Sequence, residues 1–260
     1  MVPFRETNTG KPDKRLHIGT SGWAYKDWKG NFYPDSIKST QYLAYYAQRF
    51  DTVEVDSTFY GIPKRTTVER WFAQTPESFI FTLKVPQMIT HEKRLQNCET
   101  EWQQFLETAS VLGSKLGPLI LQFDYQFRFD PHFPLLKTFL QRHSNEHRLA
   151  VEIRNKDWHR KEFYNLLETF GVALVLNDLY YMPRVIQLTS DFTIVRLLGN
   201  RKLVTGAFTK VLIERQNDLD WWSERIRQFL DKIPEVYVYS NNHYQGFAPA
   251  TVTNLLQRLS

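Results

Sequence analysis

Cysteine is nearly absent from this sequence, which contains a single one, Cys98. One cysteine excludes an internal disulfide framework and any zinc or iron–sulfur site built from clustered cysteines. This usage is typical of a protein that folds in a reducing cytosol, so the sequence predicts a cytoplasmic location.

Long apolar runs are absent as well. No run reaches the roughly 18 apolar residues of a membrane-spanning helix, and residues 1–15 are polar, without the apolar core of a signal peptide. The sequence therefore predicts neither a membrane span nor a secretory signal, and no membrane partner. The P-loop string and the spaced glycines of a dinucleotide site are also missing, which argues against those nucleotide-binding folds.

Bulky apolar residues, in contrast, are abundant. Hydrophobic residues make up 42% of the 260 residues and aromatic residues 15%, far more than a disordered chain contains. The formal net charge is +5. Such a modest excess permits an anionic partner, either a small molecule or a nucleic acid, without requiring one.

Eight short segments have the composition of buried strands. They are residues 16–21, 52–56, 79–84, 119–123, 149–154, 172–177, 193–198 and 236–241. Amphipathic segments with helical spacing separate most of them. The exception follows the sixth strand, where residues 178–191 contain Pro183 and no helical stripe.

Eight alternations of strand and helix predict an α/β protein with a parallel sheet. The simplest arrangement of eight such units is a closed (β/α)8 TIM-like barrel. A doubly wound open sheet is the alternative. We expect residues 1–15 to form a flexible tail. Residues 16–260 are predicted to form one TIM-barrel-like domain whose sixth helix is short or irregular.

The strands carry polar side chains on the face that points into the barrel. Side chains alternate across a strand, so assigning the more apolar set to the helices turns the other set inward. The ionisable residues placed inside are Glu54, Asp56, Lys84, Glu152, Arg154 and Arg196. Most of them come late in their strands, toward the C-terminal mouth where barrel enzymes hold their active sites.

Two interpretations of these charges stay open. The three acids and three bases can pair and close the barrel as a purely structural network, because buried ions need partners. Alternatively, the cations bind a phosphate or carboxylate, an acid serves as general base, and nearby amides orient the ligand. In this second interpretation the cations are Lys84, Arg154 and Arg196. The general base is Glu152 or Asp56, and the orienting amides are Gln122 and Asn241.

Aromatic residues and histidines near the strand ends are further candidates. Trp23 and Trp158 can stack on a base or sugar ring, or pack beneath a loop. His91 is a candidate metal ligand or proton carrier, as is His243, although most loop histidines are neither. No cofactor is identified. A divalent metal held by histidines and carboxylates stays open, although the neighbouring cations would repel it and no H-E-x-x-H string occurs.

Several strings identify a resemblance. They are IGTSGW (18–23), VEVDSTFY (53–60), KVP (84–86) with ITH (89–91), LGP (116–118) with LQF (121–123), VEIR (151–154) with Trp158, and YVYSNN (237–242) with Gly246. From about Ile18 to the end, the chain resembles the YecE-like family, domain of unknown function 72 (DUF72). The resemblance implies a TIM-barrel-like fold with a site at the strand ends and no established reaction. The family's similarity to metal-dependent apurinic endonucleases and sugar isomerases implies, by analogy alone, a nucleic-acid or phosphate role.

One position departs from the family pattern. The resemblance implies a histidine two residues after Arg196, but this sequence has Leu198 there. A mechanism that requires that imidazole is therefore in doubt for this chain.

The leading hypothesis is a barrel that binds an anionic, phosphate-bearing ligand at its C-terminal mouth and hydrolyses a phosphoester, which can belong to a nucleic acid. The alternative is a non-catalytic nucleic-acid or anion binding module, in which the acids only neutralise the cations. A third hypothesis is a carbohydrate-active enzyme with paired carboxylates, Glu54 and Asp56 facing Glu152.

Overall fold

The structure, a computed structural model, describes residues 15–260. Eight parallel strands form a closed barrel in which each strand pairs with its neighbours in chain order and β8 pairs with β1. The strands are β1 (Arg15–Ser21), β2 (Thr52–Val55), β3 (Ile80–Lys84), β4 (Leu116–Gln122), β5 (Leu149–Glu152), β6 (Ala173–Leu179), β7 (Phe192–Gly199) and β8 (Glu235–Ser240). The predicted (β/α)8 barrel is confirmed, and the open sheet is excluded.

Helices surround the barrel. They are α1 (Tyr42–Tyr46), α2 (Ser57–Tyr60), α3 (Arg65–Ala73), α4 (Glu99–Ala109), α5 (Phe129–His143), α6 (Lys161–Thr169), α7 (Gln216–Leu230), α8 (Asn242–Gln245) and α9 (Ala248–Leu259). Their spacing explains their packing: in α6, Phe163, Leu166 and Leu167 lie on one face and are buried. The chain between β6 and β7, residues 180–191, is described throughout and contains no helix, where a short or irregular one was predicted.

Shorter helical turns complete the connections. They are the 3₁₀ turns Lys26–Trp28, Ser39–Gln41, Ser110–Lys115 and Lys156–Trp158, and one π-helical turn, Met88–Glu92, after β3. π-helical turns frequently occur near functional sites.

The buried apolar side chains form two separate clusters. The larger cluster lies between strands and helices and includes the outward residues Val53 and Val55 of β2. A separate cluster inside the barrel includes Ile120, Ala150 and Tyr239. The Tyr239 hydroxyl lies 2.8 Å from Thr52 Oγ1 and 2.7 Å from Thr82 Oγ1, so the interior becomes polar toward the C-terminal mouth.

The predicted tail, residues 1–15, lies outside the described residues except for Arg15, which begins β1. The helices of residues 15–260 are short or carry charged residues along their length. None of them is both long and apolar enough to cross a membrane.

Candidate functional site

A buried charge network lies inside the barrel near its C-terminal mouth. Arg196 of β7 donates from Nε to Glu54 Oε2 at 2.6 Å and from Nη2 to Glu54 Oε1 at 2.5 Å. Its Nη1 donates to Glu152 Oε2. Glu54 and Glu152 are 0% exposed and Arg196 is 1% exposed. The alternation of side chains across β2, β5 and β7 thus brings three distant residues together as predicted.

A second tier of charges lies closer to solvent. Lys84 Nζ, at the end of β3, is 3.2 Å from Asp56 Oδ1 and lies over the Phe59 ring at 4.5 Å. Arg154 donates from Nε to Glu152 Oε1 at 2.8 Å and from Nη2 to Gln122 Oε1 at 3.1 Å. The six predicted charges are therefore mutually paired, as the purely structural alternative requires.

The three carboxyl groups of this network titrate differently. Burial raises the pKa of Glu54 to about 7, against the opposing effect of Arg196. Burial also disfavours the ionised form of Asp56, but Lys84 and Arg196 hold the pKa of that carboxyl below its usual range. Glu152 is buried too, yet Arg196 and Arg154 lower its pKa to about 2.

These contacts change the role expected for the two predicted bases. Both oxygens of Glu152 accept hydrogen bonds from arginines, and a carboxylate with a pKa of about 2 accepts a proton poorly at neutral pH. Asp56 lines the mouth of the barrel, and Lys84 and Arg196 hold its pKa below the usual range, which weakens it as a proton acceptor. In this geometry both acids are paired with cations, and each would be a weak general base at neutral pH.

An open cleft of about 510 Å³ lies above the network and is called the mouth cleft below. Its lining consists of Lys84, Arg154, Arg196 and Arg201; Asp56 and Asp124; His91 and His243; Gln122, Asn241 and Asn242; Leu198; and the aromatic residues Tyr25, Phe59, Tyr60, Tyr125, Tyr181 and Phe208. The charged side chains therefore form part of a surface large enough for a small organic ligand.

The remaining predicted site residues divide into two groups. Gln122, His91 and Asn241 line the mouth cleft, and Asn241 also caps α8 by accepting from the His243 backbone N–H at 3.0 Å. The two tryptophans do not line it. Trp158 is fully buried, donates to the Phe127 carbonyl at 2.6 Å and stacks on the Phe127 ring.

Trp23 packs edge-on against Trp71, with 5.6 Å between ring centroids. Its backbone carbonyl accepts a hydrogen bond from the Tyr33 hydroxyl at 2.7 Å. Both tryptophans therefore pack beneath the loops, which was the alternative to stacking on a ligand.

Sequence reasoning missed several residues of the mouth cleft. Tyr25, Tyr125 and Phe208 lie in loops whose path no periodicity predicts. The signal for Glu54 was present, because its inward position follows from the alternation in β2, but its bidentate pairing with Arg196 depends on the register of the whole barrel. Leu198 lines the cleft at the position where a histidine was expected.

The donor set does not fit a metal ion. Within residues 15–260, no three side chains of His, Cys, Asp or Glu lie close enough together to hold one. Asp56 and Glu152 are paired with Lys84, Arg154 and Arg196, whose charges repel a cation. No step of a mechanism is therefore assigned to a metal.

The sequence matches known proteins of one family. The sequence model of the family described as "Protein of unknown function DUF72" matches residues 17–260. The chain is 24% identical to the UPF0759 protein YunF of Bacillus subtilis (strain 168), covering 94% of each protein. It is 31% identical to the UPF0759 protein YecE of Escherichia coli (strain K12) over 56% of this chain and 51% of YecE.

Solved structures of the same family superpose on this chain. A DUF72 family protein from Thermotoga maritima MSB8 superposes with a TM-score of 0.80 at 26% identity, covering 94% of this chain and 99% of that one. One from Enterococcus faecalis V583 gives 0.77 at 22% identity, covering 95% and 98%. Because the family model extends over nearly the whole described chain, this protein belongs to the DUF72 family.

Proposed function

We propose that this protein binds an anionic, phosphate-bearing ligand in the mouth cleft. The observation that carries the proposal is the position of Lys84 and Arg154, two cations whose carboxylate partners hold them at the surface of a cleft of about 510 Å³. A fixed cation loses less conformational freedom on binding than a mobile one, and charge-assisted hydrogen bonds to phosphate are strong.

The exposed side chains support a cationic contact with an anion in the cleft. Arg154 has 22% of its side chain exposed, whereas Arg196 is committed to two glutamates. Arg201, after β7, is exposed and forms no ion pair with a described carboxylate. We therefore assign direct anion contact to Lys84, Arg154 and Arg201, and assign Arg196 to holding the network together.

The aromatic lining supports a ligand that also contains a ring. Tyr60 and Tyr125 are 75% and 70% exposed at the rim, and aromatic faces beside cations suit a sugar or a base. Nucleotides, sugar phosphates and the phosphoesters of single-stranded nucleic acid share this chemistry.

Hydrolysis of a phosphoester is the reaction that this arrangement would serve. Lys84 and Arg154 would stabilise the negative charge that develops on the transferred phosphoryl oxygens. Asp56 and Glu152 would keep these two cations oriented. Gln122 would hold Arg154, and Asn241 would position the turn that carries His243.

Thermal unfolding with matched compounds tests the binding proposal. Phosphorylated sugars and nucleosides are expected to raise the unfolding temperature, and their dephosphorylated forms are not, because only a bound ligand stabilises the folded state. Equal stabilisation by both forms would contradict the proposal.

Turnover separates an enzyme from a binding module. Release of phosphate from bound aryl phosphates or nucleotides supports hydrolysis, and binding without release supports the non-catalytic alternative. Activity on aryl glycosides without phosphate dependence would instead support the carbohydrate hypothesis.

A further inference from the structure

His243 stands out among the residues of the mouth cleft because its ring is fixed from two sides. Its Nδ1 lies 3.0 Å from the carbonyl oxygen of Val204. The Phe208 ring meets it edge-on, with 5.0 Å between centroids. The backbone N–H of the same residue donates to Asn241 Oδ1, so the start of α8 is held as well.

The contact with Val204 determines which ring nitrogen carries the hydrogen. A carbonyl oxygen only accepts hydrogen bonds, so Nδ1 must be the donor. In the neutral imidazole, Nε2 then carries a lone pair. No hydrogen bond joins Nε2 to any group of residues 15–260, while the side chain lines the mouth cleft. His243 thus lines the cleft with a ring nitrogen that can accept a proton and has no partner among residues 15–260.

His91, the other histidine of the mouth cleft, lacks this constraint. Its Nδ1 lies 2.8 Å from the Thr90 hydroxyl, which can either donate or accept. Both tautomers of His91 therefore fit the structure, and the lone pair has no fixed direction.

Burial and the charge of Arg201 both favour the neutral form of His243. Burial lowers its pKa below the usual value, the Val204 carbonyl opposes that change, and Arg201 is the charged group that faces it. Of the three carboxyl groups of the network, Asp56 and Glu152 are held ionised by cations and accept protons poorly, and both oxygens of the fully buried Glu54 accept hydrogen bonds from Arg196. His243 is accordingly the better matched base at neutral pH.

We propose that His243 is the proton acceptor for phosphoester hydrolysis in the mouth cleft. This inference rests on the proposed function. As the water oxygen forms its bond to phosphorus, Nε2 takes a proton from that water. The bond between phosphorus and the leaving oxygen breaks, and its electron pair stays on that oxygen. The imidazolium then returns the proton to the leaving oxygen.

Nuclear magnetic resonance of ¹⁵N-labelled protein tests the geometry without requiring turnover. The His243 ring signals are identified as those missing from His243→Gln. We expect the neutral Nδ1–H tautomer at pH 7.5 and a rise in the His243 pKa when inorganic phosphate saturates the cleft, because a nearby anion favours the imidazolium. An Nε2–H tautomer, or an unchanged pKa with phosphate bound, would overturn the role of His243 alone.

Kinetics test the catalytic step. His243→Gln is expected to lower kcat by about 10²–10⁴-fold, the range for loss of a general base, with the affinity for phosphate changed less than about twofold. The control is His147→Gln, which removes a histidine that does not line the cleft. Unchanged kcat in His243→Gln would overturn the inference.

Calorimetry separates the two proposals. Phosphate binding by the wild-type protein without any turnover would leave the binding proposal standing and overturn hydrolysis together with the role of His243. Failure of inorganic phosphate and phosphorylated ligands to bind would overturn both.

Discussion

Arg196 is the residue on which the charge balance inside the barrel depends. It satisfies Glu54 through two hydrogen bonds and Glu152 through a third. All three side chains are buried, so the loss of one partner leaves charge in a medium that stabilises it poorly.

Arg196→Gln should therefore lower the free energy of unfolding by about 3–5 kcal/mol, the cost of breaking a buried ion pair from one side. Urea denaturation measures this change. Arg142→Gln is the control, because Arg142 forms an exposed pair with Glu99 and its loss should cost less than about 1 kcal/mol. Equal effects of the two substitutions would contradict the account of the network.

Glu152→Gln tests whether Glu152 positions cations or accepts protons. The substitution removes the charge that holds Arg154, so we expect phosphate affinity to fall about 10-fold, an effect typical of one charged hydrogen bond. Calorimetry measures it, with Glu99→Gln as the exposed control. Unchanged affinity with abolished turnover would instead restore the general-base role.

The sequence predicted the inward position of these residues because alternation along a strand is a local property. It could not predict that both oxygens of Glu152 are occupied, which depends on the rotamers of Arg154 and Arg196. For Trp158 the sequence left stacking on a ligand and packing beneath a loop both open, because the choice depends on Phe127, a residue of another loop.

At the level of elements, the barrel closes where β8 meets β1, and a second charge cluster lies at the opposite, N-terminal end of this seam. Burial opposes protonation of His17, but the ion pair with Asp51 and the hydrogen bond to Glu235 raise its pKa to about 9. Burial likewise opposes ionisation of Glu235, yet His17 and Arg148 lower its pKa to about 2.

These pKa values predict how stability depends on pH. The His17 contribution is fully present below pH 6.5 and is lost as the pH rises toward 9; the Glu235 contribution is present above pH 4.5 and is lost as the pH falls toward 2. The loss on the alkaline side should be about 1–3 kcal/mol.

His17→Gln isolates that effect. Its free energy of unfolding should change less between pH 6.5 and 9 than that of the wild-type protein, as measured by urea denaturation. His147→Gln serves as the control, because burial keeps the His147 pKa below this range. Parallel curves for His17→Gln and the wild type would refute the assignment.

The close contact between β7 and α8 determines the position of His243 in the mouth cleft. Gly199 has φ +68, and a Cβ there would lie 2.3 Å from the His243 carbonyl oxygen. Gly171 has a similar φ of +59 with nothing within 4 Å, so it provides a matched comparison.

Gly199→Ala should therefore cost more than Gly171→Ala. Both carry the strain of positive φ, about 1–2 kcal/mol, and only Gly199→Ala adds a steric clash of about 1–3 kcal/mol. Urea denaturation compares them, and equal losses would contradict the close approach of β7 and α8.

The eight strands and most helices were predictable from the sequence, because hydrophobic periodicity is a local pattern of neighbouring residues. The loop after β7 was not. Val204 and Phe208 reach His243 through a segment without regular structure, and such a path depends on tertiary contacts rather than on local propensity.

At the scale of the whole molecule, the charged residues of the C-terminal mouth serve two different purposes. The network at the C-terminal mouth is balanced within itself, yet Arg154 and Arg201 still present cations to the mouth cleft. The net charge of +5 assists the approach of an anion without determining its site.

Calorimetric titration of inorganic phosphate into the wild-type protein and into Arg154→Gln tests the central claim most directly. The account predicts saturable binding that Arg154→Gln weakens by about 10- to 100-fold, the loss expected for charged hydrogen bonds, while Arg142→Gln binds as the wild type does. Equal affinities in all three proteins, or no binding in any, would contradict it.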